Sequence, residues 1–204
     1  MKSGKIKIMI FLVLSAVIVV AVLGYAIYRQ RAQEETSMGK NAVFVSENPA
    51  FDFTFEYPSK EWSLQEEQGR RQKYNAVYLR GPIDSANDFA TIIAITVKPL
   101  GEAKGASELL GAYLEMSSNL PKFKVLNKND LSIGGEKAVS ALYEQEMLLP
   151  RETLNAKPVA VNGHTVFLVK NEKAYEFTFL VIADQDKDYL PIFAHILKTF
   201  KFQK

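Results

Sequence analysis

The sequence FDFTFEYPSKEW at residues 51–62 decides the fold class of this chain. Aromatic residues alternate with polar ones over residues 51–57, and this spacing places four rings on one face of an extended segment. Pro58 ends the pattern because proline has no N–H to donate to a neighbouring strand. The segment is therefore predicted to be a β-strand whose aromatic face lies in a core.

Further strands and two helices follow from the same periodicities. Residues 90–97 and 174–183 are apolar on both faces, which is typical of strands in the middle of a sheet that is covered on both sides. A helical period of apolar residues marks residues 107–119 and 189–200. The other predicted strands are 42–45, 62–67, 74–80, 123–127, 138–147 and 166–170. We therefore predict one domain, residues 42–204, built from strands and helices.

Residues 148–163, LLPRETLNAKPVAVNG, form the least regular part of the chain. The segment contains two prolines, and its Asn162-Gly163 pair is typical of a tight turn. Long loops in compact domains often carry function, so this segment is our candidate for a contact surface. The alternative is a variable insertion without a role.

A hydrophobic segment precedes the domain. Residues 8–28, IMIFLVLSAVIVVAVLGYAIY, contain no charge, no proline and thirteen Leu, Ile, Val or Phe residues. A helix of this length spans about 31 Å, the thickness of the hydrocarbon core of a bilayer. Insertion of these residues is favoured by roughly 4 to 8 kcal/mol. The segment is predicted to be a transmembrane anchor that attaches the chain to the lipid bilayer.

The flanks of the anchor predict its orientation. Residues 1–7 form a short basic tail, and the positive-inside rule places such a tail in the cytoplasm. The chain would then be a single-pass protein of the cell membrane with its domain outside the cytoplasm. A polar tether, residues 29–41, would reach on the order of 20 Å from the bilayer. A cleaved signal peptide is the alternative, since Gly24-Tyr25-Ala26 offers a small-x-small cleavage site.

Composition excludes several classes of function. Residues 1–31 hold five basic residues and no acid, so the rest of the chain carries 20 basic and 23 acidic side chains. This balance gives no electrostatic footprint for nucleic acid. The absence of cysteine excludes disulfides, thiolate metal sites and a cysteine nucleophile. The chain also lacks G-x-S-x-G, phosphate-loop, H-E-x-x-H and dinucleotide motifs, so we expect neither an enzyme nor a cofactor.

An acidic string precedes the last predicted helix. Asp184, Asp186 and Asp188 resemble the start of a calcium loop, but Tyr189 and His195 replace the Gly and Glu that such a loop requires. We interpret the string as a strand-to-helix corner in which Asp186 or Asp188 caps the helix. A metal site formed by the three aspartates and His195 is the alternative.

Several motifs, in their order along the chain, resemble the PsbP-like family. The opening FDFTFEYPSKEW is similar to its aromatic strand with Tyr-Pro and a following Trp, and LSIGGEKA at residues 131–138 is similar to its glycine hairpin. The segments AYEFTF at 174–179 and YLPIFAHILKTFKF at 189–202 resemble its closing strand and helix. The resemblance implies an α+β fold in which helices flank an antiparallel β-sheet, an α/β/α sandwich.

Functionally, the resemblance implies no catalytic residues that can be placed on this chain. The plant member of the family is an extrinsic subunit of photosystem II, and bacterial relatives are often membrane-tethered proteins without an assigned activity. We therefore expect a membrane-anchored, non-catalytic domain that binds or helps to assemble another envelope protein. The alternative from another class is a small-ligand or metal-sensing domain.

Overall fold

The computed structural model describes residues 41–69, 74–151 and 153–203, so the predicted basic tail, anchor and most of the tether lie outside the described residues. The strands are β1 (Asn41–Phe44), β2 (Phe53–Pro58), β3 (Ser63–Gly69), β4 (Tyr74–Asp84), β5 (Phe89–Pro99), β6 (Lys124–Ile133), β7 (Glu136–Leu149), β8 (Lys157–Lys170), β9 (Lys173–Ile182) and β10 (Lys201–Phe202). The helices are α1 (Ala106–Ser117), a 3₁₀ turn (Ala183–Gln185) and α2 (Asp186–Thr199). Within the described ranges, neither α-helix is long and apolar enough to cross a bilayer.

The main sheet has seven strands in the order β3-β4-β5-β9-β8-β7-β6, and every neighbouring pair is antiparallel. The two strands predicted to be central, β5 and β9, are neighbours near the middle of the sheet, which confirms that prediction. Gly134 and Gly135 turn the chain between β6 and β7, and both have the positive φ that glycine adopts without strain.

A second, three-stranded sheet in the order β1-β2-β10 was not predicted from the sequence as a separate layer. Its aromatic face packs on one face of the main sheet: the ring of Phe53 lies 6.3 Å from Tyr175 and 5.0 Å from Phe200. Helix α2 covers the same face, where Phe193 stacks on Phe179 with ring centroids 5.3 Å apart. Phe51, Phe53 and Phe55 are therefore buried as the alternation predicted, whereas the fourth ring, Tyr57, is only half-buried.

Helix α1 packs on the opposite face of the main sheet. Leu110 and Leu114, which fall on its predicted apolar face, contact Ala141 of β7 and Phe167 of β8. The expected caps are wrong at the second helix: α2 begins after Gln185 without a side-chain cap, and Asp186 and Asp188 lie inside its first turn. Carboxylates in the first turn still interact favourably with the helix dipole, so Asp186 and Asp188 stabilise the start of α2 without a capping hydrogen bond.

The prediction that residues 148–163 form one long irregular segment is wrong. β7 extends to Leu149 and β8 begins at Lys157, so the intervening loop is short. Asn162-Gly163 is not a turn but lies in the middle of β8, paired with Glu144 and Tyr143. A Cβ on Gly163 would lie 2.1 Å from Cζ of Tyr143, so this glycine makes room for a ring that crosses the strand.

Candidate functional site

The predicted acidic corner does not gather its residues around one point. Asp184 lies in the 3₁₀ turn and is exposed, as is Asp188. Asp186 is half-buried; burial raises the pKa of its carboxyl, and a hydrogen bond from Asn162 opposes the shift. The side chain of Asp186 is therefore directed toward β8, where Asn162 lies.

His195 has different neighbours. Its Nε2 lies 3.2 Å from Oε2 of Glu56 on β2 and 3.3 Å from Nδ2 of Asn41 on β1. The residue therefore connects α2 to the small sheet. Nowhere in the part of the chain that the structure describes do three His, Cys, Asp or Glu side chains come together as metal ligands. The metal site at Asp184, Asp186, Asp188 and His195 stays a prediction.

The candidate contact segment lies at one end of the main sheet. Phe89, Leu149 and Ile182 form a small core there, and half-buried apolar side chains surround it. Leu154 in the β7–β8 loop is fully exposed, and Ile83 beside the β4–β5 hairpin is mostly exposed. We call this region the apolar end; its packed cluster comprises Phe89, Met147, Leu149, Val159, Leu180 and Ile182, and the exposed residues Ile83, Leu148 and Leu154 lie on the chain segments next to that cluster.

A polar pocket opens on the face of the main sheet that α1 partly covers. It has a volume of about 320 Å³ and is lined by Tyr74, Tyr78, Thr96, Lys98 and Glu176; we call it the Glu176 pocket. Nζ of Lys98 lies 3.0 Å from Oε2 of Glu176, and the two side chains are 37% and 16% exposed. The ion pair thus lies on the central strands of the sheet and is partly exposed to solvent.

The negative charge of Glu176 also affects the pKa of tyrosine hydroxyl groups on the same face of the sheet. The hydroxyls of Tyr113 on α1 and Tyr143 on β7 lie 2.6 Å apart. Burial raises the pKa of both phenols, and the negative charge of Glu176 adds to the shift in each. The pKa of Tyr78 is also raised, chiefly by burial and with a contribution from Glu176. All of these phenols therefore stay protonated at neutral pH and present hydroxyl groups.

Sequence reasoning missed the Glu176 pocket. Its residues come from β4, β5 and β9, which lie far apart in the sequence, and only the strand order brings them together. One signal was present: Glu176 is the only charged residue in the run AYEFTFLVI of β9, which is mostly apolar. A charge at such a position has to have a partner, and that partner is Lys98.

Comparison with known proteins identifies the architecture. No protein-family model matches the chain, and no curated protein matches it. Among solved structures, LpqN of Mycobacterium tuberculosis, described as involved in cell envelope biogenesis, superposes with a TM-score of 0.53 at 15% identity over 81% of this chain and 91% of LpqN. Cyanobacterial PsbP (CyanoP) from Synechocystis sp. PCC 6803 gives 0.52 at 13% identity, over 80% and 94% of the two chains.

The chain has a PsbP/Mog1-like fold. A mutant of the protein Mog1 also superposes, with a TM-score of 0.50 at 9% identity over 80% of this chain and 96% of Mog1. At such identities the likeness shows the fold alone. Antiparallel sheets with two helices are thus confirmed for the described residues, and membership of one family within this fold stays a prediction.

Proposed function

We propose that this chain is a single-pass membrane protein that displays a non-catalytic PsbP-like domain outside the cytoplasm and that this domain binds or helps to assemble another envelope protein. The hydrophobic segment of residues 8–28 and the basic residues before it support the anchor and its orientation. The fold shared with LpqN, a protein described as involved in cell envelope biogenesis, supports a place in the envelope.

The observation that carries the binding role is the apolar end. Its small core of Phe89, Leu149 and Ile182 is incompletely covered, because Met147, Val159 and Leu180 around it are only half-buried. Leu154 projects from the adjacent loop with its whole side chain in solvent. Burying such a side chain in a partner is favourable by about 1.5–3 kcal/mol. The apolar end therefore has the properties of an interface core, with Leu154 as its anchor residue.

Site-specific photo-crosslinking in intact cells tests this proposal. A photoreactive residue in place of Leu154 or of Ile83 would sample the surroundings of the apolar end. The matched control position is Glu102, an exposed residue in the loop after β5. This loop lies at the opposite end of the sheet, where the backbone N–H of Leu100 donates to the carbonyl of Glu172. We expect one discrete protein adduct from both positions of the apolar end and none from Glu102.

Two results would count against the proposal. If neither position of the apolar end gives a protein adduct, the domain does not dock through this surface. If Glu102 gives the same adducts in equal yield, the crosslinks report random encounters rather than an interface.

A further inference from the structure

The Glu176 pocket is a second surface, distinct in place and chemistry from the apolar end. β9 is the fourth of seven strands, and Glu176 pairs in register with Thr96 on one side and Phe167 on the other. A half-buried ion pair at such a position contributes little to stability, since the cost of removing both charges from water offsets their attraction. An apolar pair would serve the sheet as well, so stability alone does not account for these two residues.

Among the described residues, the ion pair uses only part of its hydrogen-bonding capacity. A carboxylate can accept about four hydrogen bonds and an ammonium group can donate three. Lys98 donates to one oxygen of Glu176, and the hydroxyl of Thr178 lies 3.5 Å from the other. Both side chains of the ion pair line the pocket, together with Thr96 and the two tyrosines.

We propose that the Glu176 pocket binds a saccharide through a single pyranose unit. Adjacent hydroxyls of the sugar would donate to the carboxylate of Glu176 and accept from the ammonium of Lys98. The C–H face of the ring would pack on Tyr74, since the face of an aromatic ring carries negative charge and attracts polarised hydrogens. The volume of about 320 Å³ lies at the lower end of the range for ligand sites, about 300–1,000 Å³, which suits one ring rather than an extended chain.

Two alternatives fit the geometry less well. A zwitterionic amino acid would need Lys98 and Glu176 as separate partners for its two charges, but these side chains are already paired at 3.0 Å. A vicinal diol bridges the pair without breaking it. A larger groove of about 390 Å³ lies between α1 and β6, and its charged residues are Lys128 and Asp130. Both side chains are exposed to water, so their positions are less fixed than those of Lys98 and Glu176.

Saturation-transfer NMR with the purified full-length chain in a non-glycosidic detergent tests the proposal. The probes are free hexoses, N-acetylhexosamines and their short oligomers, with a panel of amino acids at equal concentration. We expect saturation transfer to at least one saccharide, strongest at its ring protons, and none to the amino acids. Absence of transfer to every saccharide, or transfer to amino acids instead, would overturn the proposal.

A matched pair of variants separates recognition from structure. Glu176→Gln keeps the shape of the side chain and removes its charge, whereas Glu136→Gln does the same at a second cross-strand pair, Lys170 with Glu136 at 3.0 Å. Both lysines also lie over a phenylalanine ring. Loss of one charge-assisted hydrogen bond should weaken saccharide binding roughly tenfold or more in Glu176→Gln. Glu136→Gln should bind as the wild type does.

A third variant, Tyr74→Ala, removes one packing surface at the rim and should also weaken binding. Equal binding by all variants, or equal loss in Glu176→Gln and Glu136→Gln, would show that the pocket is not the site. Because this readout uses sugars and not a protein partner, its failure leaves the result at the apolar end unaffected, and the reverse also holds.

Discussion

The two faces of the main sheet carry different chemistry. The face under α2 and the small sheet, which we call the closed face, is filled by fully buried rings, among them Phe53, Phe177 and Phe193. Among the described residues, helix α1 covers the opposite face over β7 and β8, and toward β4 this face, which we call the open face, contains the Glu176 pocket. One face therefore supplies the aromatic core on which stability depends, whereas the other accommodates polar groups and a pocket.

The largest effect is expected on the closed face. Phe53→Ala would remove a ring that contacts Phe44, Phe55, Tyr175 and Phe200, and we expect a loss of about 4 kcal/mol in the free energy of unfolding. Urea denaturation of the purified chain measures it. The partner variant on the open face, Tyr74→Ala, should cost about 1 kcal/mol or less. Similar losses in the two variants would abolish the distinction between the faces.

A slightly smaller loss in the free energy of unfolding is expected where α1 packs on the open face. Gly163→Ala would place a methyl group against the buried ring of Tyr143 and should cost about 3 kcal/mol, because neither strand nor ring has room to move. Gly111→Ala is the control: its Cβ would meet nothing within 4 Å, and alanine in a helix is favoured over glycine by about 0.5–1 kcal/mol. Opposite signs for the two changes in melting temperature are the expected result; a neutral Gly163→Ala would refute the close approach.

These two glycines show what a sequence can and cannot reveal. Alternation of aromatic and polar residues was sufficient to predict the buried face of β2, and double-sided apolarity was sufficient to place β5 and β9 at the centre. Asn162-Gly163 has the composition of a turn, but the reason for Gly163 is a ring twenty residues earlier in the chain. Local patterns report periodicity, whereas contacts between distant strands appear only in the folded chain.

The same limit applies to the candidate sites. Asp184, Asp186 and Asp188 are close in sequence, yet Asp184 and Asp188 are exposed while Asp186 is half-buried and bonded to Asn162, so the three carboxylates do not form a compact cluster. The Glu176 pocket collects residues that no local pattern connects. The apolar end was predicted only as a segment: sequence pointed to residues 148–163, and the structure adds Ile83, Phe89, Leu180 and Ile182 from other strands.

A pH-dependent effect is expected on the closed face at His164. Burial lowers the pKa of this imidazole below its ordinary value of 6.5, and its ring lies 5.3 Å from that of Phe193. His164 therefore binds a proton more readily in the unfolded chain than in the folded one. The contribution of neutral His164 to the free energy of unfolding is complete above about pH 6.5 and is lost as the pH falls toward the folded-state pKa.

Thermal melts between about pH 5 and pH 8 measure this effect. The variant His164→Leu should show a flatter dependence of melting temperature on pH than the wild type. Asp52, whose pKa is lowered because bonds from Lys173 and Tyr175 outweigh its burial, acts only below its ordinary value of 3.8 and so does not interfere. An unchanged slope in His164→Leu would show that the residue is not buried as described.

The smallest effect is expected in the pocket. Glu176→Gln and its control Glu136→Gln should each change the free energy of unfolding by about 0.5 kcal/mol or less, because partly exposed ion pairs contribute little. Urea denaturation of the two variants side by side measures the difference. A loss above about 2 kcal/mol in Glu176→Gln alone would mean that the ion pair is needed for the fold rather than for a ligand.

If the proposed binding surface is separable from the aromatic core that folds the domain, the variant Leu154→Asp should lose binding and keep its stability. Its free energy of unfolding and the yield of the crosslink from a photoreactive residue at position 83 should be measured on the same chain. We predict stability within about 0.5 kcal/mol of the wild type and loss of the adduct, since Leu154 is fully exposed and a charge cannot enter an apolar interface. An undiminished adduct, or loss of the adduct only together with loss of stability, would show that the apolar end is not a binding surface separable from the core.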